Sequence, residues 1–595
     1  MRRILLLAIT CALVAFGGWY VWNLSHQTWA LSASALLPRE TIFLAQMPDF
    51  NRMRDQWHQS DIYLLYQEPA VQDFLRKPLA NSVRTDAVDQ TLREIEQLEP
   101  RNAFVALTSI EGNSPTLVGG FRFRGKPENA ERVVGKWRSQ VQEKNSGAKR
   151  EKIKYGPHEI DLLSATPFTL ATAYDPPWFF AATNLTELKA LLDRAEGRVK
   201  NPEATLGRDE SYSAAVSRRP SNYALFFYLQ PKAVSERLAA LRAAIQGPAS
   251  PSAKTLSMLE QIRSISGAMR FENGKIHDLL FVGMPNVEPN TTLSRSSLGL
   301  GSRETFFYLT TLLNLGERMT VLNQATSIGE IAQKLFQAFA DSGITADDWK
   351  AAFGPELGLL ADWPSTAHWP SLLVTLPVLD MANAGKIVET ITRVDEAATW
   401  TETEKDSVRY FSEQSSANLV QVAPTIALSD RIVIVALNPV LAEEAVKRSA
   451  GHSSELADSQ PYKAAARLLP TPTNFFAYLD TAVLYSRLDA SLRPILLLAT
   501  AFKPSFTTNV DLGKIPSPEV ITKHLSPIVT SQRYDHDGYV LESIGPITLD
   551  QSLVGLAILG GIWRAVMPSP GVGKSGWGSS STTTPQPSPS PSGTP

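Results

Sequence analysis

The sequence predicts an α+β protein made of two similar tandem domains, each a mainly antiparallel sheet with packed helices, behind an N-terminal transmembrane or signal helix. Three observations predict it: an ordered internal repeat, strand-like runs joined by hairpin turns between helical periods, and one uncharged N-terminal run. The repeat begins where Arg39-Glu40-Thr41-Ile42-Phe43 recurs as Arg303-Glu304-Thr305-Phe306-Phe307. Asn184-Leu185 then matches Asn438-Pro439, and Tyr212-Ser213-Ala214-Ala215 matches Tyr462-Lys463-Ala464-Ala465. Tyr228-Leu229 matches Tyr478-Leu479, and Arg270-Phe271-Glu272-Asn273-Gly274 is answered by Arg533-Tyr534-Asp535-His536-Asp537-Gly538. Loop insertions and deletions explain the drift in spacing between these anchors without moving a core.

The N-terminus reads as an address. Met1-Arg2-Arg3 precedes an uncharged run to Trp22, and nineteen helical residues span about 28 Å at roughly 1.5 Å each, close to a bilayer's hydrocarbon thickness. Trp19, Tyr20 and Trp22 cluster at its far end, where aromatic rings favour the headgroup region. Both arginines precede the run, so the positive-inside rule puts the N-terminus in the cytoplasm and the body outside. A cleaved signal peptide is the alternative, with Ala33-Ser34-Ala35 in the small-x-small form of a cleavage site, though far from the apolar run. Cys11, the single cysteine, follows Thr10 inside that run and makes a poor lipoprotein site.

Along the first half, residues 41–47 read as a strand, and Asp49 caps a helix carrying Phe50, Met53 and Trp57 on one face. Helices are expected at 68–75 and 88–98, and paired strands at 103–108 and 116–123. Pro127 opens a helix to about residue 142, Pro being tolerated in a first turn. Strands at 158–164, 168–174 and 178–182 lead to a helix capped by Asn184 and stopped at Gly197. A strand at 223–229 precedes a long helix through Val234, Leu238, Leu241 and Ile245, and two strands meet at the hairpin signal Asn273-Gly274.

The second half repeats the order. Strands are expected at 306–309, 357–360, 371–376, 407–412, 419–427, 431–436 and 473–480. Helices are expected at 327–340, 345–353, 381–394 and 438–450, and from Thr481. Hairpins between strands favour antiparallel sheets over a doubly wound parallel one. The organisation is therefore a cytoplasmic 1–3, a signal anchor 4–23, a linker 24–35, a first repeat 36–287, a linker 288–299 and a second repeat 300–550. An apolar helix at 551–567 follows, too short to span a bilayer, and then a disordered Ser/Thr/Pro/Gly tail at 568–595.

Composition bounds the chemistry. With 43% hydrophobic residues, 19% charged and net charge −2, the chain is globular rather than intrinsically disordered, and its balance gives no support for a nucleic-acid partner. The one cysteine leaves no intrachain disulfide and no thiolate site beyond the N-terminal run. Gly571-Val572-Gly573-Lys574-Ser575 fails as a phosphate loop, because Pro568 stands where the pattern needs Gly and no strand precedes it.

The eight histidines form no pair at metal-ligand spacing on a helix. Asp535-His536-Asp537 offers metal-ligand types but sits where the first half has Glu272-Asn273, before a hairpin glycine, and turn chemistry accounts for it. Glu356 reads as an acid at a helix-to-strand junction held by backbone amides, with acid–base work as the sharper alternative. Ser252-Ala253-Lys254 is one residue short of a Ser-x-x-Lys pair. Trp178, Phe179, Phe180, Trp363 and Trp369 read as core aromatics, with a ligand groove as the alternative. No catalytic, cofactor-binding or metal residue is assigned.

Leu37-Pro38-Arg39-Glu40-Thr41, Met47-Pro48-Asp49 and the ending from Ser517-Pro518-Glu519-Val520 to Gly538-Tyr539 resemble a family of uncharacterised bacterial exported proteins, a domain of unknown function. The resemblance covers roughly residues 36–550 and implies export and a tandem α+β body, with no catalytic residue carried over. The expectation is an envelope-anchored, non-catalytic binding or assembly module in the bacterial inner membrane, single-pass through residues 4–23, with its body in the periplasm or outside. Its expected partners are the membrane and an envelope protein, polymer or lipid, and a soluble exported form would follow if the signal is cleaved. The alternative is an exported hydrolase whose site is assembled from sequence-distant residues.

Overall fold

The computed structural model describes residues 32–80, 85–111, 114–124, 127–144, 147–165, 168–199, 204–234, 262–285, 292–312, 330–394, 398–414, 422–451, 454–502, 511–549 and 551–552. The expected anchor at 4–23, the helix through Leu238 and Leu241, and the tail from 568 lie outside them. Among the described residues no helix is long and apolar enough to cross a membrane. The chain forms two compact units, Met1–Leu549 and Asp550–Pro595. In the second unit Gln551 and Ser552 are helical.

The first unit is α+β with a large antiparallel sheet. Its first ten strands are β1 (Phe43–Asp49), β2 (Arg101–Glu111), β3 (Ser114–Arg122), β4 (Lys149–Tyr155), β5 (His158–Ala165), β6 (Phe168–Asp175), β7 (Trp178–Ala182), β8 (Leu225–Leu229), β9 (Ser264–Glu272) and β10 (Lys275–Gly283). The next ten are β11 (Thr305–Leu312), β12 (Glu356–Asp362), β13 (Ser371–Pro377), β14 (Trp400–Lys405), β15 (Val408–Glu413), β16 (Thr425–Leu428), β17 (Ile432–Ala436), β18 (Phe475–Leu479), β19 (Ile528–Asp535) and β20 (Gly538–Gly545). Two strands escape the sequence reading. β4 and β14 are charged on both faces and show no alternation, because each pairs on one side only, with β5 and β15.

The ladders run β4-β5-β6-β7-β3-β2-β1-β8-β9-β10 across the first half. They run β14-β15-β16-β17-β13-β12-β11-β18-β19-β20 across the second. Read from either outer edge inward, the order is the same. The two runs share one sheet: β10 pairs antiparallel with β20, from Ile276 opposite Gly545 to Gly283 opposite Gly538. Local chemistry sets the hairpins that deliver these strands. Asn273 and Gly274 take φ values of 51° and 79°, which a tight turn between β9 and β10 requires.

One face of the sheet carries two cores. In the first, Leu44, Phe104, Phe180, Phe226, Tyr228 and Phe281 pack under the helix Leu185–Ala195, whose Leu188, Leu191 and Leu192 supply the i, i+3, i+4 stripe. In the second, Tyr308, Leu360, Ile434, Phe476 and Tyr478 pack under the helix Pro439–Ser449 through Ala442 and Ala445. β20 serves both, with Val540 in the first core and Ile544 in the second. The opposite face is covered near the outer ends. Ala130, Val133 and Val134 of the helix Pro127–Lys144 meet Phe179, and the helix Met381–Thr392 covers Ile426 and Val433.

Between the two cores lies a charged knot. His277 donates from Nε2 to Glu542 at 3.2 Å, and the other oxygen of Glu542 accepts from Arg533 at 2.6 Å. Arg270 lies 3.0 Å from Glu272, beside the same imidazole. Burial raises the Glu542 carboxyl, but hydrogen bonds from His277 and Arg533 outweigh it and hold the group below its usual range.

Two expectations follow. A Cβ on Gly538 would come within 2.1 Å of the Val282 carbonyl across the β10–β20 ladder. Gly538→Ala is therefore expected to destabilise the body by about 1–3 kcal/mol, seen as a lower urea midpoint at unchanged slope. Burial raises the phenols of Tyr228, Tyr308 and Tyr478 far above the ordinary value of 10.0. The folded values exceed the unfolded one, so this stability is intact below pH 10. Above it the unfolded chain releases protons that the folded chain keeps, and each tyrosine should cost about 1.4 kcal/mol per pH unit. Absorbance titration at alkaline pH is expected to show these phenolates appearing only together with unfolding.

Candidate functional site

The residues singled out in the sequence mostly serve the scaffold. Asp535 and Asp537 grip one guanidinium: Arg218 donates to Asp535 at 3.0 and 2.9 Å and to Asp537 at 2.9 Å, with its plane 4.3 Å from the Phe281 ring. The Asp535-His536-Asp537 turn thus ties the second half to the helix Glu210–Ser217 of the first. Among the described residues no group of three or more His, Cys, Asp or Glu is placed to hold a metal. Trp178 stacks on Phe180 at 5.3 Å inside the first core, Trp363 packs with Phe306, and Trp369 is exposed. Gly571-Val572-Gly573-Lys574-Ser575 and Ser252-Ala253-Lys254 lie outside the described residues.

A different place forms a cavity. About 500 Å³ opens in the first half between the ends of β1 and β2, the helix Glu210–Ser217 and the segment at Ser32 and Ser34. A break in the β2–β3 ladder between Arg101 and Phe104, with Asn102 at φ 48°, shapes one wall. The helix is capped by Asp209, which accepts from the Tyr212 N–H at 3.0 Å. That start aims Tyr212 at the sheet, edge-on to Tyr228 at 5.1 Å.

Arg219 supplies the charge. Its guanidinium lies 4.3 Å from the Tyr223 ring centroid and 5.0 Å from that of Phe226, and donates to the side-chain Oε1 of the buried Gln46 at 3.2 Å. Among the described residues no carboxylate lies within ion-pair distance of it. Burial raises the Tyr212 and Tyr223 phenols, while Arg219 pulls the other way, so both are neutral hydroxyls at physiological pH. Met47 and Val216 add apolar wall. The arrangement can bind an anion beside an apolar body; the lining offers hydroxyls but no imidazole.

Strand register gives the counterpart in the second half. Met47 opposite Ala103 corresponds to Thr311 opposite Leu357, which sets Asn102, one residue before Ala103, at the position of Glu356, and Gln46 opposite Phe226 corresponds to Thr310 opposite Phe476. There Glu356, 5% exposed, accepts six hydrogen bonds. Its oxygens take the Ser294, Arg295 and Ser296 N–H groups at 2.8, 3.0 and 2.7 Å, the hydroxyls of Ser294 and Ser296 at 2.6 and 3.2 Å, and the Thr310 hydroxyl at 3.3 Å. Glu356 is a structural carboxylate bound largely to backbone amides.

The sequence reading missed Arg219, Gln46, Tyr212 and Asn102 as site residues. One signal was legible: between the matched Tyr212 and Tyr462 and the matched Pro220 and Pro470, Arg218-Arg219 stand where the second half has Leu468-Leu469.

No protein-family profile matches the chain. No curated protein matches it. Among solved structures it is similar to three crystal forms of TP0453. Form IV aligns with TM-score 0.22 at 6% identity, over 42% of this chain and 79% of that one. Form I gives 0.23 at 6% over 44% and 82%, and form III gives 0.22 at 7% over 43% and 81%. At such TM-scores the likeness carries no argument about fold or function.

Glu356→Gln would set an amide NH₂ against donors that now point at a carboxylate. It is expected to destabilise the fold by about 2–4 kcal/mol, read as a lower chemical-denaturation midpoint, while Asn102→Ala in the open pocket shifts that midpoint far less.

Proposed function

We propose that this protein is an envelope-anchored, non-catalytic binding module whose first half takes a ligand in the Arg219 pocket. In this reading residues 4–23 hold it in the bacterial inner membrane with the N-terminus inside, and the body meets its envelope partner or ligand in the periplasm or outside. The observation that carries the reading is the 500 Å³ cavity in which Arg219 has aromatic faces and Gln46 for company but no described carboxylate. A binding site needs such a concave, partly apolar space with few convergent polar groups. A hydrolase needs a base beside a nucleophile, and the described lining supplies serines without one.

The shared strand order supports a companion inference, that residues 36–287 and 300–550 are two copies of one α+β domain. The second copy filled its pocket with Glu356, while the first kept its pocket open.

Native mass spectrometry of the full chain, purified from membranes in mild detergent, tests the reading. A small-molecule adduct is expected on the wild type and should fall at least tenfold in occupancy in Arg219→Leu. A chain free of adduct, or an adduct indifferent to that substitution, would overturn it.

A further inference from the structure

We propose that the ligand of the first-half pocket is an amphiphile headed by a carboxylate, and that its carboxylate takes the place Glu356 occupies in the second half. This rests on the pocket being a binding site and names what it binds. Both halves set a guanidinium against the same strand position: Arg219 at 5.0 Å from Phe226, and Arg295 at 5.6 Å from Phe476. Both rings lie beside a helix-borne tyrosine, Tyr212 or Tyr462, at 6.5 and 6.1 Å. The second half also buries a carboxylate, Glu356, held by backbone amides and hydroxyls rather than by the Arg295 guanidinium. Glu356 is held by Ser296 and Thr310, whose counterparts Ser32 and Gln46 both line the first-half cavity.

In the first half Asn102, a neutral residue, stands at the Glu356 register position. A cation is also gained beside the cavity, because Arg219 replaces the buried Leu469. One half is therefore satisfied internally. The other gains a guanidinium beside an open cavity and, among the described residues, has no carboxylate paired with it. Coulombic and hydrogen-bonding complementarity both ask for a planar monoanion, and the Met47 and Val216 wall asks for an apolar body behind it.

Titration calorimetry of the full chain with decanoate, and with decanol as the neutral counterpart, tests this at pH 7. Decanoate is expected to bind at least tenfold more tightly than decanol. Arg219→Leu, which installs the second half's residue, should erase the difference. Asn102→Glu, which installs a built-in carboxylate, should weaken decanoate at least tenfold while leaving the far-UV circular dichroism unchanged. That second variant keeps the test readable if Arg219→Leu fails to fold. Equal binding of the two probes would overturn the carboxylate assignment and leave the pocket standing as a binding site. Binding of neither probe would overturn the amphiphile as well, and the native-mass adduct would then decide whether the pocket binds anything. Decanoate binding unchanged in Asn102→Glu would remove the equivalence with Glu356.

Discussion

The pairing of β10 with β20 is the constraint on which the rest depends. Without it each half would end on a long edge strand with a row of unpaired backbone groups, a template for aggregation. With it, the innermost strands cover one another, and among the described residues the sheet ends on the short, charged β4 and β14. The ladder also places Val540 of β20 into the first core and Ile544 into the second, so the first core borrows a residue from the other half. Polar contacts reinforce the seam on both sides. Arg218 is clamped by Asp535 and Asp537, and Glu68 of the first half takes Lys523 at 2.8 Å and His524 at 2.7 Å from the second. Exposed members of such pairs contribute little each, whereas the partly buried Arg218 grip, bidentate and stacked on Phe281, holds geometry.

A repeated frame makes differences between its halves informative. Core positions at matching registers, such as Phe226 and Phe476 or Tyr228 and Tyr478, are filled in kind because both cores need the volume. Polar positions diverge. Glu356 is a buried charge made tolerable by six donors, and its neighbouring backbone is drawn tight around it. Asn102 carries no charge, adopts a positive φ at a ladder break and leaves space. The cavity is thus a consequence of one register position holding a neutral residue, together with a guanidinium supplied from a different segment of chain.

Such a pocket is built from rigid parts. Gln46 and Asn102 lie on paired strands, Tyr212 on a capped helix, and Arg219 is braced between two aromatic rings. Binding would order little that is not already ordered, which conserves affinity for a small ligand.

Much of the fold was legible in the sequence because its causes are local. Alternating apolar residues mark most strands; Asp49, Asn184 and Asn438 accept the helix N–H bonds their positions promised; and Asn273-Gly274 turns as its φ preference demands. The matching sequence anchors of the two halves were readable too, and with them the difference between Arg218-Arg219 and Leu468-Leu469. The site itself was not. Arg219 meets Gln46 across 173 residues, Arg218 meets Asp535 across 317, and the Asn102–Glu356 equivalence exists only once strand register is known. Backbone propensity and hydrophobic period act over a few residues, so the sequence by itself determined most of the elements and their antiparallel character. Only tertiary structure decided that the two halves share one sheet and that one of them keeps an unfilled cavity, because both facts are set by which distant strands pair and in what register.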